Sequence, residues 1–359
     1  MKPFFSILLL LLVFFSGCSQ ADETTETTST APYFPPVNSE VWETISPESL
    51  NWNTAFLPEL KNYLDEKHTD AFIILKNGRI VVEYYFNGFT SATPHAWNSA
   101  GKTLTAFSTG MAQQDGYLDL DDSTTKYLGP SWTVMTPEQE AAITIRHQLT
   151  MTSGGDYNVP DTACTDPECL QYLNEAGSFW FYHNAFYSLL QPVLDAAIPE
   201  GFDTYFEEKL KNPIGMSGAW LQFGYQRVFF SNARSMARFG ILNLNRGKWD
   251  GTQLLNENYF QAMTNTSQQL NKSYGYLWWL NGKESFRLPQ STLEFQGKLI
   301  PNAPDDLIAA LGKNDQKLYI VPSQNLIVIR MGDDAGNSLP GPSGFDNELW
   351  GKLGELFNY

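Results

Sequence analysis

Apolar positions along the chain change their period twice. In residues 58–66, Leu60, Tyr63 and Leu64 recur at helical spacing. Two apolar runs follow, 72–75 and 80–85, rich in β-branched and aromatic residues and joined by Lys76-Asn77-Gly78-Arg79. Asn-Gly between such runs predicts a hairpin. From about residue 100 to 245 the pattern is mainly helical with long loops. It includes 143–151 leading into Ser153-Gly154-Gly155, a helix over 186–197, and another opening at 232–240. Strand character returns after about residue 270. Residues 274–279 are aromatic and β-prone, 307–311 and 318–321 are apolar, and 325–330 follows across Pro322-Ser323-Gln324 as a further hairpin. An amphipathic helix over 347–357 closes the chain. Strands at both ends with helices between predict an α+β fold: one antiparallel sheet built from both termini and flanked by helices, with a mainly helical subdomain inserted at about 100–245. A cleft between the two parts is the expected binding site.

The amino terminus follows a different logic. Lys2 precedes an apolar run over residues 4–15 and then Ser16-Gly17-Cys18. A basic start, a short apolar core and small residues at the end predict a secretory signal over 1–17, too short for a membrane span. Cys18 is placed like the lipidated first residue of a bacterial lipoprotein, although Phe15 replaces the usual leucine. Residues 18–40, polar and Pro-rich, are expected to be a disordered, lipid-anchored tether, leaving 41–359 as the folded domain. The expected location is therefore exported, held at a bacterial membrane through Cys18.

Composition adds limits. The 359 residues contain 23 Lys and Arg against 39 Asp and Glu, a net charge of −16, which argues against a nucleic-acid partner. Cys164 and Cys169 share a loop, and an oxidising compartment predicts a local disulfide between them. No His or further Cys stands at ligand spacing beside them, so no metal site is expected.

Candidate chemistry lies at Ser99 and Lys102, in His95-Ala96-Trp97-Asn98-Ser99-Ala100-Gly101-Lys102-Thr103-Leu104. Leu104, Phe107 and Met111 recur after it at helical spacing, so the pair sits at the first turn of a buried helix. Residues three apart on a helix share a face. A serine hydroxyl needs a nearby base to attack a carbonyl, and a lysine serves as one only when its pKa is lowered. Ser-x-x-Lys alone is weak, because Ser123-Thr124-Thr125-Lys126 repeats it beside Asp119-Leu120-Asp121-Asp122, where an exposed turn is expected. No Gly-x-Ser-x-Gly elbow occurs for a Ser-His-Asp triad. His147 is expected to cap or pack, and His183 to point away from its neighbours.

Five stretches in order then resemble the serine β-lactamase-like hydrolases, which include class C β-lactamases, DD-peptidases and related esterases and amide hydrolases. They are Asn98-Ser99-Ala100-Gly101-Lys102-Thr103, residues 145–154, Tyr182-His183-Asn184, residues 232–240, and Leu311-Gly312-Lys313-Asn314-Asp315-Gln316. The resemblance covers about residues 55–335. It implies Ser99 as nucleophile, with Lys102 and Tyr182 sharing the base and acid work. It places Asn184 on the substrate carbonyl or on Lys102, or as a helix cap, and Lys313 as a cation docking an anionic or polar group. The backbone N–H groups of Ser99 and Gln316 would form the oxyanion hole. A tyrosine between two lysines would lose its proton more easily. Asp315 stands where the family motif has glycine, and its bulk and charge on the far wall would disfavour a β-lactam carboxylate.

The resulting expectation is an extracytoplasmic serine hydrolase, needing no cofactor, that cleaves a small-molecule ester, amide or peptide through an acyl-enzyme on Ser99. Rivals within the class are a β-lactamase and a penicillin-binding DD-peptidase. The rival from another class is a non-catalytic penicillin- or peptide-binding lipoprotein.

Overall fold

The computed structural model describes residues 31–336 and 341–358. The signal segment and Cys18 lie outside the described residues. Helix α1, Leu57–Glu66, leads into strands β1, Thr69–Lys76, and β2, Arg79–Tyr85. Asn77 and Gly78 both have positive φ, 51° and 84°, as the tight hairpin requires. The short β3, His95–Ala96, precedes a 3₁₀ turn, Asn98–Gly101, that runs into helix α2, Lys102–Gln114. Then come α3, Ile145–Leu149; α4, Asn184–Ser188; α5, Leu190–Ala197; and α6, Phe202–Phe206. Strands β4, Ala219–Phe223, and β5, Gln226–Ser231, pair with β3 in a three-stranded sheet. Helix α7, Ala233–Leu244, is followed by β6, Trp279–Leu280; β7, Ile308–Gly312; β8, Gln316–Val321; β9, Leu326–Gly332; and helix α8, Gly344–Phe357.

The main sheet runs β2-β1-β9-β8-β7-β6, every pair antiparallel. Its centre is the pairing of β1 with β9, Ile74 opposite Val328, so the two ends of the chain do close one sheet. Both faces are covered, which is why residues 318–321 of β8 and 326–329 of β9 read as continuous apolar runs rather than alternating ones. Helix α7 packs against β1, β8 and β9. Gly240 lets it approach closely, because a Cβ there would lie 2.9 Å from Ile327 Cγ2. Helix α8 takes the other face, with Trp350 edge-on to Tyr319 at 5.6 Å.

Three expectations change. Helix α7 belongs to the sheet's outer layer, so the inserted helical part ends before residue 233. Residues 274–279 are almost entirely loop; only Trp279 joins a strand, and Leu277 has φ 60°. Their aromatic rings are buried instead: Tyr274 packs on Trp180, Trp279 on Tyr182, and Trp278 on Phe239 of α7. The tether does not extend to residue 40. Tyr33 donates its amide to Asn77 O at 2.9 Å, Phe34 packs edge-on to Trp249 at 5.3 Å, and the Arg238 guanidinium takes the carbonyls of Pro35, Pro36 and Ser39. A buried arginine needs acceptors, and an extended Pro-rich segment offers carbonyls free of internal hydrogen bonds.

Candidate active site

Helix α2 is buried along nearly all of its length, between α5 on one side and the helix Glu257–Met263 on another. Gly110 permits this, since a Cβ there would meet the Tyr259 ring at 2.3 Å. The segment leading into α2 is fastened to β5: Trp97 donates its amide to Phe229 O at 2.8 Å and its indole N–H to Ser231 Oγ at 2.8 Å. Asn98 has φ 50° and its side-chain amide reaches Lys313 O at 2.8 Å. Ser99 is therefore held at the mouth of α2 by anchors on both sides.

Lys102 Nζ donates to Ser99 Oγ at 3.2 Å. The lysine is 3% exposed and no carboxylate faces it, so burial pushes its pKa from 10.5 down to about 7. Its ammonium also lies over the Tyr187 ring at 4.0 Å and the Tyr182 ring at 5.3 Å. Tyr182 is buried, stacked on Trp279 and edge-on to Tyr274. Burial pushes its phenol well above the ordinary value, and a hydrogen bond with Ser99 pulls it partly back. The expected easing of Tyr182 ionisation fails for a physical reason. Lys102 is half-neutral near pH 7 and Lys313 is exposed, so neither offsets the desolvation of a phenolate.

Asn184 opens α4 without capping it, and its Oδ1 is buried with no hydrogen-bond partner. Asn184, Lys313, Ser99 and Lys102 line one cavity of about 130 Å³ together with Asn98, Tyr187, Gln226, Arg227 and Val228. Gln316 is not among them. Its side chain is buried and donates to Asn314 O at 2.7 Å and Gly332 O at 2.5 Å, inside the hairpin. The backbone that meets Ser99's turn lies across the hairpin from Gln316: a Cβ on Gly312 would lie 2.4 Å from Trp97 O and 3.1 Å from Ala100 N.

Asp315 faces away from the cavity. Asn314 and Asp315 both take positive φ, 59° and 54°, which turns the Asp315 carboxylate under the sheet. There it accepts from Ser343 Oγ at 2.6 Å and Ala335 N at 3.1 Å and pairs with Lys317 at 3.1 Å. Lys317 also pairs with Asp346 at 2.9 Å, and Arg330 grips the carbonyls of Asn314 and Asp315. The nearby cation holds the Asp315 carboxyl below its usual range against the opposing effect of burial. The feared negative charge on the far wall is absent because these buried cations have claimed it.

Other residues fall as follows. His147 takes part in a capping box, accepting from Thr144 N at 3.1 Å. His183 turns to Asp156 O at 3.1 Å. Lys126 pairs with Asp122 on the surface. Cys164 and Cys169 form a disulfide with Cα atoms 5.8 Å apart. Tyr187 and Arg227 were not foreseen. Tyr187 follows Asn184 by one helical turn, a spacing that could have flagged it; Arg227 carries no signal in sequence.

A model of the family described as Beta-lactamase matches residues 60–340. The chain belongs to the beta-lactamase family. At the family level this makes it a serine hydrolase. An uncharacterised protein of Alkalihalophilus pseudofirmus is 25% identical over 77% of this chain and 86% of its own. A 6-aminohexanoate-dimer hydrolase of Paenarthrobacter ureafaciens is 33% identical over 72 residues, 20% of this chain and 18% of its own. The fold is shared with a Bacillus anthracis protein provisionally assigned as a 6-aminohexanoate-dimer hydrolase, at TM-score 0.64 and 20% identity over 82% of this chain and 80% of that one. A penicillin-binding protein homologue from Caulobacter crescentus matches at TM-score 0.60 and 13% identity, over 85% and 97%. This beta-lactamase-family chain thus has neighbours in more than one functional branch.

Proposed function

We propose that the protein hydrolyses an ester or amide bond through an acyl-enzyme on Ser99. The observation that carries this reading is the buried Lys102 amine, 3.2 Å from Ser99 Oγ, with its pKa lowered to about 7. A neutral amine can take the serine proton as the oxygen attacks the carbonyl carbon. The tetrahedral oxyanion would meet the backbone N–H groups of Ser99 and Lys313, since the end of β7, rather than Gln316, abuts the serine's turn. Tyr182, kept neutral by burial, has a phenol proton to give the leaving group, and the Lys102 ammonium restores it. Asn184 would donate its amide to the acyl carbonyl or the Lys102 amine. Water then attacks the ester, its proton taken by the same lysine, and Ser99 is freed. Purified protein should release p-nitrophenol from a short-chain ester, and Ser99→Ala should fall to background. Equal rates for the two proteins would refute the assignment.

The inward turn of Asp315 supports keeping a second reading, a β-lactamase or penicillin-binding peptidase. A chromogenic cephalosporin separates them: rapid turnover marks the first, and a stable mass addition on Ser99 marks the second. No covalent addition from penicillin or a fluorophosphonate would instead mark a binding protein.

Export and lipid anchoring belong to the same proposal. Ser16-Gly17-Cys18 after an apolar run supports it, as does the disulfide, since such bonds persist in oxidising compartments. Radiolabelled palmitate should enter the protein in a bacterial host and be lost in Cys18→Ser.

A further inference from the structure

Beyond Tyr187 and Arg227 lies a second cavity, of about 220 Å³. These two side chains line both it and the Ser99 cavity, so the two spaces adjoin. Its far walls are Thr165, in the loop closed by the Cys164–Cys169 disulfide, and Gln222, Gly224 and Tyr225 around the β4–β5 turn. Ser188 and Gln191 form its floor, and Ser188 Oγ and Gln191 Oε1 are buried without a hydrogen-bond partner.

The charge in this space runs against the rest of the molecule. Net charge is −16, yet no Asp or Glu lines either cavity, while Lys102, Arg227 and Lys313 do. Two neighbouring carboxylates are engaged. Asp166 accepts from Tyr225 Oη at 2.5 Å, and Asp203 accepts from Arg227 Nη2 at 2.7 and 2.8 Å. That contact uses one nitrogen of the guanidinium. Nη1 has no partner among the described residues, and its N–H groups remain to donate charge-assisted hydrogen bonds to a carboxylate.

We propose that this second cavity is an acyl-side subsite in which Arg227 binds a carboxylate, making short dicarboxylic monoesters or monoamides the preferred substrates. The proposal rests on the Ser99 reading and names its substrate class. The side follows from the chemistry. The leaving atom must face the proton donor, Tyr182, which lines neither cavity wall near Arg227. The acyl chain therefore extends the other way, past Tyr187. Ser188, Thr165 and Gln222 are uncharged, and Arg227 is the charged residue lining the subsite, so an anionic acyl end is favoured there.

The test compares kcat/KM of the full-length protein for two p-nitrophenyl esters, the butyrate and the glutarate monoester, which adds a carboxylate at the end of the acyl chain. The ratio should favour glutarate by about tenfold, the worth of one charge-assisted pair, and should shrink as salt rises. Arg227→Gln should abolish the preference, and Arg227→Lys should keep part of it. Lys248→Gln, on an exposed lysine lining neither cavity, should keep the wild-type ratio. No preference in the wild type, or an undiminished preference in Arg227→Gln, overturns the subsite and leaves the Ser99 reading intact. Should Arg227→Gln fail to fold, a salt-independent preference in the wild type overturns it. If neither ester is turned over, the Ser99 reading fails and the subsite with it.

Discussion

Lys102 shows how one burial sets both reactivity and stability. The amine loses its proton near pH 7 when folded and near 10.5 when unfolded. Between those values the unfolded chain binds more protons, so stability should climb with pH across that window and gain nothing from this group below it. Activity on a neutral ester should rise with pH through about 7 as the amine becomes a base, and an acid limb at an ordinary carboxylate pKa would contradict the assignment. Lys102→Met should abolish hydrolysis. It should also raise unfolding free energy at pH 6 by roughly 1–3 kcal/mol, because a buried cation is removed. Denaturant titration at that pH decides it; a less stable variant would show that the lysine is held by partners rather than merely buried.

At the scale of elements, the β7–β8 turn is the piece that makes the far wall. It carries two non-glycine residues at positive φ, and Asp315, Lys317, Asp346 and Arg330 beneath it over-determine that shape. Asp315→Ala should cost about 3–5 kcal/mol in chemical denaturation, as loss of one member of a buried ionic cluster does. A cost near that of a surface change would mean the cluster does not hold the turn. Gly312→Ala tests the contact on the cavity side. Its methyl would push β7 off the Trp97 carbonyl at 2.4 Å, so kcat should fall more than KM rises, while the apolar hairpin keeps the sheet intact. Of this arrangement the sequence displayed the Lys313 motif and the departure at Asp315. It could not display the direction of the carboxylate, which depends on cations one strand away.

For the molecule as a whole, the segment over residues 31–40 is a working part of the domain. It roofs Arg238 on α7, the helix that covers the main sheet. A chain starting at residue 41 should melt several degrees below one starting at residue 31, because the arginine would lose acceptors that hydrogen-bond a charge. Equal melting would show that water replaces those carbonyls without loss. Polar composition and proline made this stretch look like linker, since composition reports what a segment can do alone and not what docks against it.

Periodicity and turn chemistry by themselves determined the β1–β2 hairpin, the closure of one sheet from both chain ends, and the pairing of Ser99 with Lys102 on one helical turn, but not the β4–β5 hairpin inside the stretch read as helical. These are local consequences of spacing, and they survive any tertiary detail. Tertiary structure alone decided the chemical state of the site. How deeply Lys102 and Tyr182 are desolvated, which backbone meets Ser99, where Asp315 points and that Arg227 arrives beside the serine all depend on segments far apart in sequence. Desolvation and Coulomb interaction act through space, so residue spacing along the chain carries no record of them.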